Sequence, residues 1–250
     1  EFGEDFFQLY GDKFSNLMLD DKLSNFINLD VKEYIEKRMS ECDFNFHGFS
    51  LTDKIIKSLE NKLSRFRKKN IQKEEIDVPY KCITTSICQA FYFIIRDMYN
   101  DWNNHNHKDL YTLDERSAQW VFIREFCFGS MFRFGPTGDF NIPYGGFGYN
   151  TKCFTCKIKN ITSNEARDLF ATTDIQCGDF EDAIKNWDIK SDDFMFLDPP
   201  YDSTFTDYDN NAFGKDEHIR LANCLKNCKC KWLMAIGKTE FIYNLYKDYN

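Results

Sequence analysis

Proline is scarce, five in 250 residues, and two of the five stand together as Pro199-Pro200. Because proline lacks an N–H and has a fixed φ, its rarity elsewhere leaves long stretches free to form helices and concentrates one rigid step at a single place. Long apolar runs are missing too. No stretch approaches 18 charge-free apolar residues, and the first residues lack the pattern of a secretory leader, so neither membrane insertion nor secretion is expected. No Gly-x-Gly-x-x-Gly opens a helix after a candidate strand, which argues against a nicotinamide dinucleotide site. Positive charge is in deficit, 32 Lys and Arg against 40 Asp and Glu, for a net charge of −8. Contact with nucleic acid would therefore need a local basic patch, since neutralising phosphates supplies much of nonspecific binding.

Cysteine, by contrast, is plentiful at ten residues, yet the spacing is not that of a small disulfide scaffold and a chain of this length does not need one. A reducing, intracellular compartment is expected. Cys153-x-x-Cys156 and Cys224-x-x-x-Cys228-x-Cys230 are too irregular to assign a metal. Lys62, Arg65, Arg67, Lys68 and Lys69 form a basic cluster, which fits a solvated helix face as well as a phosphate contact. The length allows one substantial α/β domain with a smaller insertion.

Hydrophobic spacing predicts a short strand over Phe14 to Leu19 ending in Asp20-Asp21, then helical segments through Leu23, Phe26 and Ile27 and over Val31 to Met39. Helices are expected over Leu51 to Phe66, Ile83 to Met98 and Asp114 to Phe128, with a solvated loop over Asp101 to Asp109. Gly129 to Asn150 is rich in glycine and aromatics and reads as a long functional loop. Beyond it, strands are expected over Ile175 to Cys177, Phe194 to Leu197 and Lys231 to Ile236, with helices over Glu181 to Trp187, Asp216 to Leu225 and Glu240 to Tyr246. Strand, crossover, strand and crossover favour a parallel open sheet.

In such a sheet ligands sit beyond the carboxyl ends of the strands. Three acidic strand exits are then candidates: Asp20-Asp21, Asp179 in Cys177-Gly178-Asp179-Phe180, and Asp198 in Asp198-Pro199-Pro200-Tyr201. A carboxylate there suits ribose hydroxyls, and Phe180 supplies an aromatic edge for a purine; loop capping is the plainer alternative for Asp21 or Asp179 alone. Asp198 and Tyr201 suit methyl transfer to an exocyclic amine. Such a nitrogen is a poor nucleophile because its lone pair is delocalised into the ring. The Asp198 carboxylate and the Pro199 carbonyl would accept its hydrogens and favour the geometry of attack, while Tyr201 stacks on the base. A base paired in a duplex cannot reach such a pocket, so flipping is implied.

Asp198-Pro199-Pro200-Tyr201 resembles the catalytic motif of amino-methyltransferases that use S-adenosylmethionine, and its surroundings are similar to the DNA adenine methylase family, which modifies adenine N6. Phe205-Thr206-Asp207-Tyr208, Phe213 and His218-Ile219-Arg220-Leu221 resemble the loop and helix that follow in that family. Gly138-Asp139-Phe140-Asn141-Ile142-Pro143-Tyr144-Gly145 is close to its Gly-Glu-Phe-Asn-Val-Pro-Phe-Gly signature, with Arg133 at the family's loop arginine and Arg96-Asp97-Met98-Tyr99-Asn100 before it. Asp21-Lys22-Leu23-Ser24-Asn25-Phe26-Ile27-Asn28 resembles the family's ribose-binding element. By spacing, the family's glycine-rich cofactor loop would fall at Glu1-Phe2-Gly3-Glu4-Asp5-Phe6-Phe7, which keeps one glycine, unless that loop lies upstream; an alternative alignment takes Tyr10-Gly11-Asp12-Lys13 as the family's lysine-containing opening motif.

The resemblance implies a Rossmann-like α/β methyltransferase with a mostly parallel sheet and a largely helical recognition insertion. Residues 1–43 and 151–250 would form the catalytic domain and 44–150 the target-recognition region. It implies Asp198, Pro199, Pro200 and Tyr201 as catalytic, and Asp21, Asp179, Phe180 and Asp198 as cofactor-binding. Arg133, Asn141, Lys68 and Lys69 would meet double-stranded DNA, with a restriction partner as a further implication and no metal. Cytosine N4 or RNA as substrate, and a relative that binds nucleic acid without catalysis, remain open alternatives.

Overall fold

The computed structural model describes residues 2–20, 22–42, 44–70, 72–73, 77–104, 107–202 and 213–249. The chain divides into two units, Glu1–Lys152 and Cys153–Asn250. The expectations placed on Asp21 and on Phe205 to Tyr208 lie outside the described residues.

The first unit is helical. Helix α1 (Phe2–Leu17) is followed by α2 (Leu23–Phe26), a π-helical turn (Ile27–Val31) and α3 (Lys32–Ser40), then by the long helices α4 (Leu51–Asn70) and α5 (Tyr80–Asn104) and by α6 (Leu113–Phe126). The expected strand over Phe14 to Leu19 is helical to Leu17 instead, and the reason is periodic. Phe6, Tyr10, Phe14 and Met18 recur every four residues, one stripe of a helix. Phe6, Phe14 and Met18 are fully buried, and the rings of Phe6 and Tyr10 lie 5.2 Å apart. This stripe packs into one core with Ile55, Leu59 and Leu63 of α4 and Ile83, Ile87 and Ala90 of α5. Residues 1–40 thus pack in the same unit as α4 and α5. Helix α6 starts at a capping box, in which Thr112 Oγ1 accepts from the Glu115 N–H and the Glu115 carboxylate accepts from the Thr112 N–H. Helix α5 is longer than expected, because Asp101 to Asn104 continue it.

The second unit contains α7 (Thr155–Ile161), α8 (Asn164–Ala171), α9 (Phe180–Asn186), β1 (Phe194–Leu197), α10 (Lys215–Lys226), β2 (Lys231–Met234) and α11 (Glu240–Tyr246). β1 and β2 run parallel, with Phe194 opposite Lys231 and Leu197 opposite Met234, and α10 supplies the crossover a parallel pair requires. Among the described residues this is a two-stranded sheet in a mostly helical protein, where a larger parallel sheet was expected. Ile175 to Cys177 form no strand. Ile175 is 74% exposed and Thr172 to Cys177 have no ladder partner among the described residues, so a short segment did not suffice without a neighbour to pair with. β2 ends at Met234, although Ala235 N still donates to Leu197 O at 2.9 Å. The helices α7 and α8 were not anticipated; Ser163 caps α8 by accepting from the Ala166 N–H. Leu221, Ala222 and Leu225 on one face of α10 are buried together with Cys230 and Ile242. No helix among the described residues is long and apolar enough to cross a membrane.

Phe14 decides between helix and strand for the first segment. Truncation by Phe14→Ala is expected to cost about 3–5 kcal/mol, as for a fully buried aromatic side chain. Urea unfolding followed by helical circular dichroism measures it, and a loss below about 1 kcal/mol would contradict the buried helical stripe.

Candidate functional site

Two sites carry the residues singled out from the sequence, one in each unit. In the first unit, Cys127 to Asn150 fold back on α5. The loop pairs with itself through antiparallel bridges between Phe134 and Phe140 and between Cys127 and Tyr144. Gly138 has φ 82°, and a Cβ there would stand 3.1 Å from Asn104 Oδ1, so glycine is required both for its conformation and for the close approach. Gly135 N donates to Asp139 O at 2.8 Å and closes the turn at the loop tip.

What fixes this loop is a row of polar side chains on α5 at four-residue spacing: Tyr92, Arg96, Asn100 and Asn104. Tyr92 OH donates to Ile142 O at 2.8 Å, and an Arg96 guanidinium N–H reaches the same carbonyl at 3.5 Å. The Asn100 side chain both donates to Phe140 O, at 3.1 Å, and accepts from Phe140 N, at 2.8 Å. Asn104 Nδ2 donates to Asp139 Oδ1 at 2.8 Å. Burial pushes the Tyr92 phenol far up, so it stays a neutral donor. Arg96 and Asn100 were named only by resemblance, and Asn104 was expected in a loop; the signal that joins the row is the recurrence of polar residues at intervals of four.

The outcome is alternation along the loop. Phe140, Ile142 and Tyr144 are buried, while Asn141 and Pro143 face outward. Arg133 is exposed beside Asn141, its Nε donating to Asn141 Oδ1 at 3.2 Å. The structure thus brings together two of the four expected DNA-contacting residues. Lys68 and Lys69 sit elsewhere, exposed in the last turn of α4, where the helix dipole favours cations in any case. The cavity of about 420 Å³ next to the loop is lined by Arg96 but also by Asp97, Asp101 and Asp139, a balance that repels phosphate.

In the second unit, Asp198-Pro199-Pro200-Tyr201 leaves the carboxyl end of β1. Asp198 is exposed, and Tyr201 is 52% exposed with its ring against Gly237, where a Cβ would lie 3.8 Å from it. The exits of β1 and β2 are tied together: Thr239 Oγ1 donates to the Asp202 carboxylate at 2.7 Å while accepting from Ile242 N at the start of α11. That tie was not read from the sequence. Asp179 caps α9 by accepting from Glu181 N at 2.9 Å, and accepts from Arg220 of α10 at 2.6 Å. The Arg220 hydrogen bond and then the Glu181 N–H hold the Asp179 carboxyl below the usual range. Phe180 packs under the Arg220 guanidinium, 4.6 Å from ring centroid to Cζ, and against Phe213. Among the described residues no three His, Cys, Asp or Glu side chains gather to hold a metal; Cys228 and Cys230 approach as a pair, with sulfurs 3.3 Å apart.

A strand-end acid followed by two prolines and a tyrosine is the motif on which the resemblance to amino-methyltransferases rests. Residues 23–250 match the D12 class N6 adenine-specific DNA methyltransferase family, and the chain belongs to it. It is similar to the Type II methyltransferase M.CviBI of Paramecium bursaria Chlorella virus NC1A, 33% identical over 70% of this chain and 66% of that protein. Against the Type II methyltransferase M.MjaIII of Methanocaldococcus jannaschii it is 31% identical over 65% of this chain and 55% of the relative. The DNA N-6-adenine-methyltransferase of Escherichia phage P1 is 28% identical over 64% of this chain and 20% of its own length. The chain therefore spans less than two thirds of the length of these relatives.

Methyltransferases of this family generally use S-adenosylmethionine, and the family implies a Rossmann-like fold. The donor set of the second unit fits the nucleoside end of that cofactor: a carboxylate that still has free lone pairs at Asp179, an aromatic ring at Phe180 and an exposed carboxylate at Asp198. The segment that would wrap the methionine end does not fit. Gly3 to Phe7 are helical and Phe6 is in the core, so no glycine loop forms there.

Two measurements test the geometry. Asn100→Leu keeps the shape but removes both bonds to Phe140, and is expected to cost about 1–3 kcal/mol and to speed hydrogen exchange at the Phe140 amide. Unchanged exchange there would show that the loop is held otherwise. In the second unit, a lowered Asp179 value means the Arg220 pair stabilises the fold above the ordinary Asp value of about 3.9 and that this contribution is lost as pH falls through the folded-state value. Carboxyl NMR titration should find Asp179 below the ordinary range and find it raised in Arg220→Gln; identical titrations in the two proteins would refute the attribution.

Proposed function

We propose that the protein transfers a methyl group from S-adenosylmethionine to adenine N6 in double-stranded DNA, acting on a flipped base. The observation that carries this reading is Asp198-Pro199-Pro200-Tyr201 at the end of a parallel strand, with the Tyr201 ring over Gly237 and the neighbouring strand exit tied to it through Asp202 and Thr239. Support comes also from family membership. In this reading residues 44–150 carry target recognition, and 1–43 with 151–250 form a Rossmann-like catalytic domain. An intracellular setting and a restriction partner follow from the same reading.

The cofactor, when bound, supplies an electrophilic methyl group on a positively charged sulfur. The chain's own residues do the rest. One N6 hydrogen is held by the Asp198 carboxylate and the other by the Pro199 carbonyl, which proline geometry keeps directed outward. Both acceptors gain strength as the nitrogen becomes positive during attack, so they favour the transition state over the ground state. Tyr201 stacks on the base and fixes its angle of approach. Asp179 and Phe180 hold the nucleoside of the cofactor. Arg133 and Asn141 meet the duplex, the cation on phosphate and the amide on a phosphate or base edge.

The helical Gly3 to Phe7 favours a second reading, a relative that binds nucleic acid without methyl transfer. Base-resolved methylation sequencing of DNA treated with the protein and S-adenosylmethionine distinguishes the two, and separates N6-methyladenine from N4-methylcytosine. Asp198→Ala is expected to lower kcat by at least about a hundredfold with the circular dichroism unchanged. Retained turnover would remove Asp198 from its role, and a folded protein that neither binds the cofactor nor modifies DNA or RNA would favour the second reading.

A further inference from the structure

Helix α10 ends in a short turn where Cys228 and Cys230 flank Lys229 and lead into β2. The Cys228 N–H donates to Leu225 O at 3.2 Å and closes the helix end. Both cysteines are free thiols, and the turn brings their sulfurs to 3.3 Å. A disulfide bond needs about 2.05 Å, so small side-chain rotations separate this contact from a bond.

The two sulfurs differ in access. Cys228 is half-buried on the wall of a cavity of about 510 Å³ between α9 and α10, while Cys230 is 7% exposed. That volume falls in the range of small-molecule sites, on the order of 300–1,000 Å³. Lys185, Arg220 and Lys229 line the cavity together with Glu181 and Asp188, so it offers both signs of charge and suits a zwitterionic molecule. Desolvation, and then the hydrogen bond with Cys228, push the Cys230 thiol up. Cys230 therefore keeps its proton and donates its S–H to the Cys228 sulfur, and Cys228 is the sulfur that an entering molecule meets first.

We propose that Cys228 and Cys230 form a redox-active dithiol that reduces a low-molecular-weight disulfide held in this cavity. The Cys228 thiolate attacks one sulfur of the disulfide; the S–S bond of the substrate breaks, and the first thiolate leaves and takes up the proton released from Cys228. Cys230 then gives up its proton as its sulfur attacks Cys228 in the mixed disulfide, and the second thiolate leaves with that proton. The protein loses two electrons and two protons and gains the Cys228–Cys230 bond, while the substrate departs as two thiols. The bond closes a loop of three residues, Cys228 to Cys230, which constrains the unfolded chain little and leaves the bond open to reduction by thiols. Cys230 precedes the first residue of β2 and Asp198 follows the last of β1, so in this parallel pair the dithiol lies at the opposite end from Asp198. Its chemistry does not depend on methyl transfer.

Glutathione disulfide, whose ends carry both signs of charge, is the probe. The intact folded chain is incubated with it, remaining thiols are alkylated, and tryptic peptides are read by mass spectrometry. Lys229 lets trypsin cut between the two cysteines, so their bond appears as a linked pair of peptides. In the wild type the linked pair should exceed glutathione-bearing Cys228 by at least about tenfold, because the second step is intramolecular. Cys230→Ser should instead accumulate glutathione on Cys228, with the circular dichroism unchanged, and Cys228→Ser should leave Cys230 free. Exposed Cys42 reports that the probe is reactive. Cys228 and Cys230 both free when Cys42 has reacted, glutathione lasting on Cys228 in the wild type, or a bond from Cys228 to Cys224 on the same cavity wall would each overturn the proposal.

Discussion

The two-way bond between the Asn100 side chain and the Phe140 backbone is the constraint on which the first unit's functional face depends. A loop laid across a helix exposes backbone groups that the helix backbone cannot pair, because its own N–H and C=O groups are already used. Side chains must take over. A primary amide is the one neutral group that mimics a peptide unit, donating and accepting together. Tyr92, Arg96 and Asn104 extend the same solution to either side.

The second unit solves a different problem with fewer means. Two parallel strands carry Phe194, Phe196 and Leu233 exposed on one face, and half-buried Met195, Leu197, Trp232 and Met234 on the other. With so small a sheet among the described residues, a discrete polar tie, Asp202 to Thr239, joins the strand exits, and Asp179 to Arg220 joins the start of α9 to α10. The proline pair adds stiffness at the point where the ties leave off.

The most legible parts of the sequence were those whose signal is local. β1, the start of β2, α9, α10 and α11 were placed within a few residues, because each carries its own periodicity and punctuation. Asp198-Pro199-Pro200-Tyr201 could be read for its chemistry from residue types alone, and Arg133 and Asn141 were named from a signature. Phe14 to Leu19 failed for a physical reason: a window of six residues that starts at Phe14 hides a stripe of four-residue spacing that begins at Phe6. Ile175 to Cys177 failed because a strand exists only with a partner. Asn100 was named only as part of a segment resembling the family, and Asn104 was placed in a loop over Asp101 to Asp109; the bonds both make appear only once the loop they hold is seen.

Phe140 and Ile142 are held by their main-chain groups and by burial, while the side chains of Arg133 and Asn141 are exposed and bond to each other. The loop's position and its outward side chains are therefore nearly independent variables. A lineage can exchange the outward residues, sampling new surface chemistry, without disturbing the platform that presents them. Such separation of bearing and presenting surfaces lets the exposed chemistry drift quickly on a fold that changes slowly.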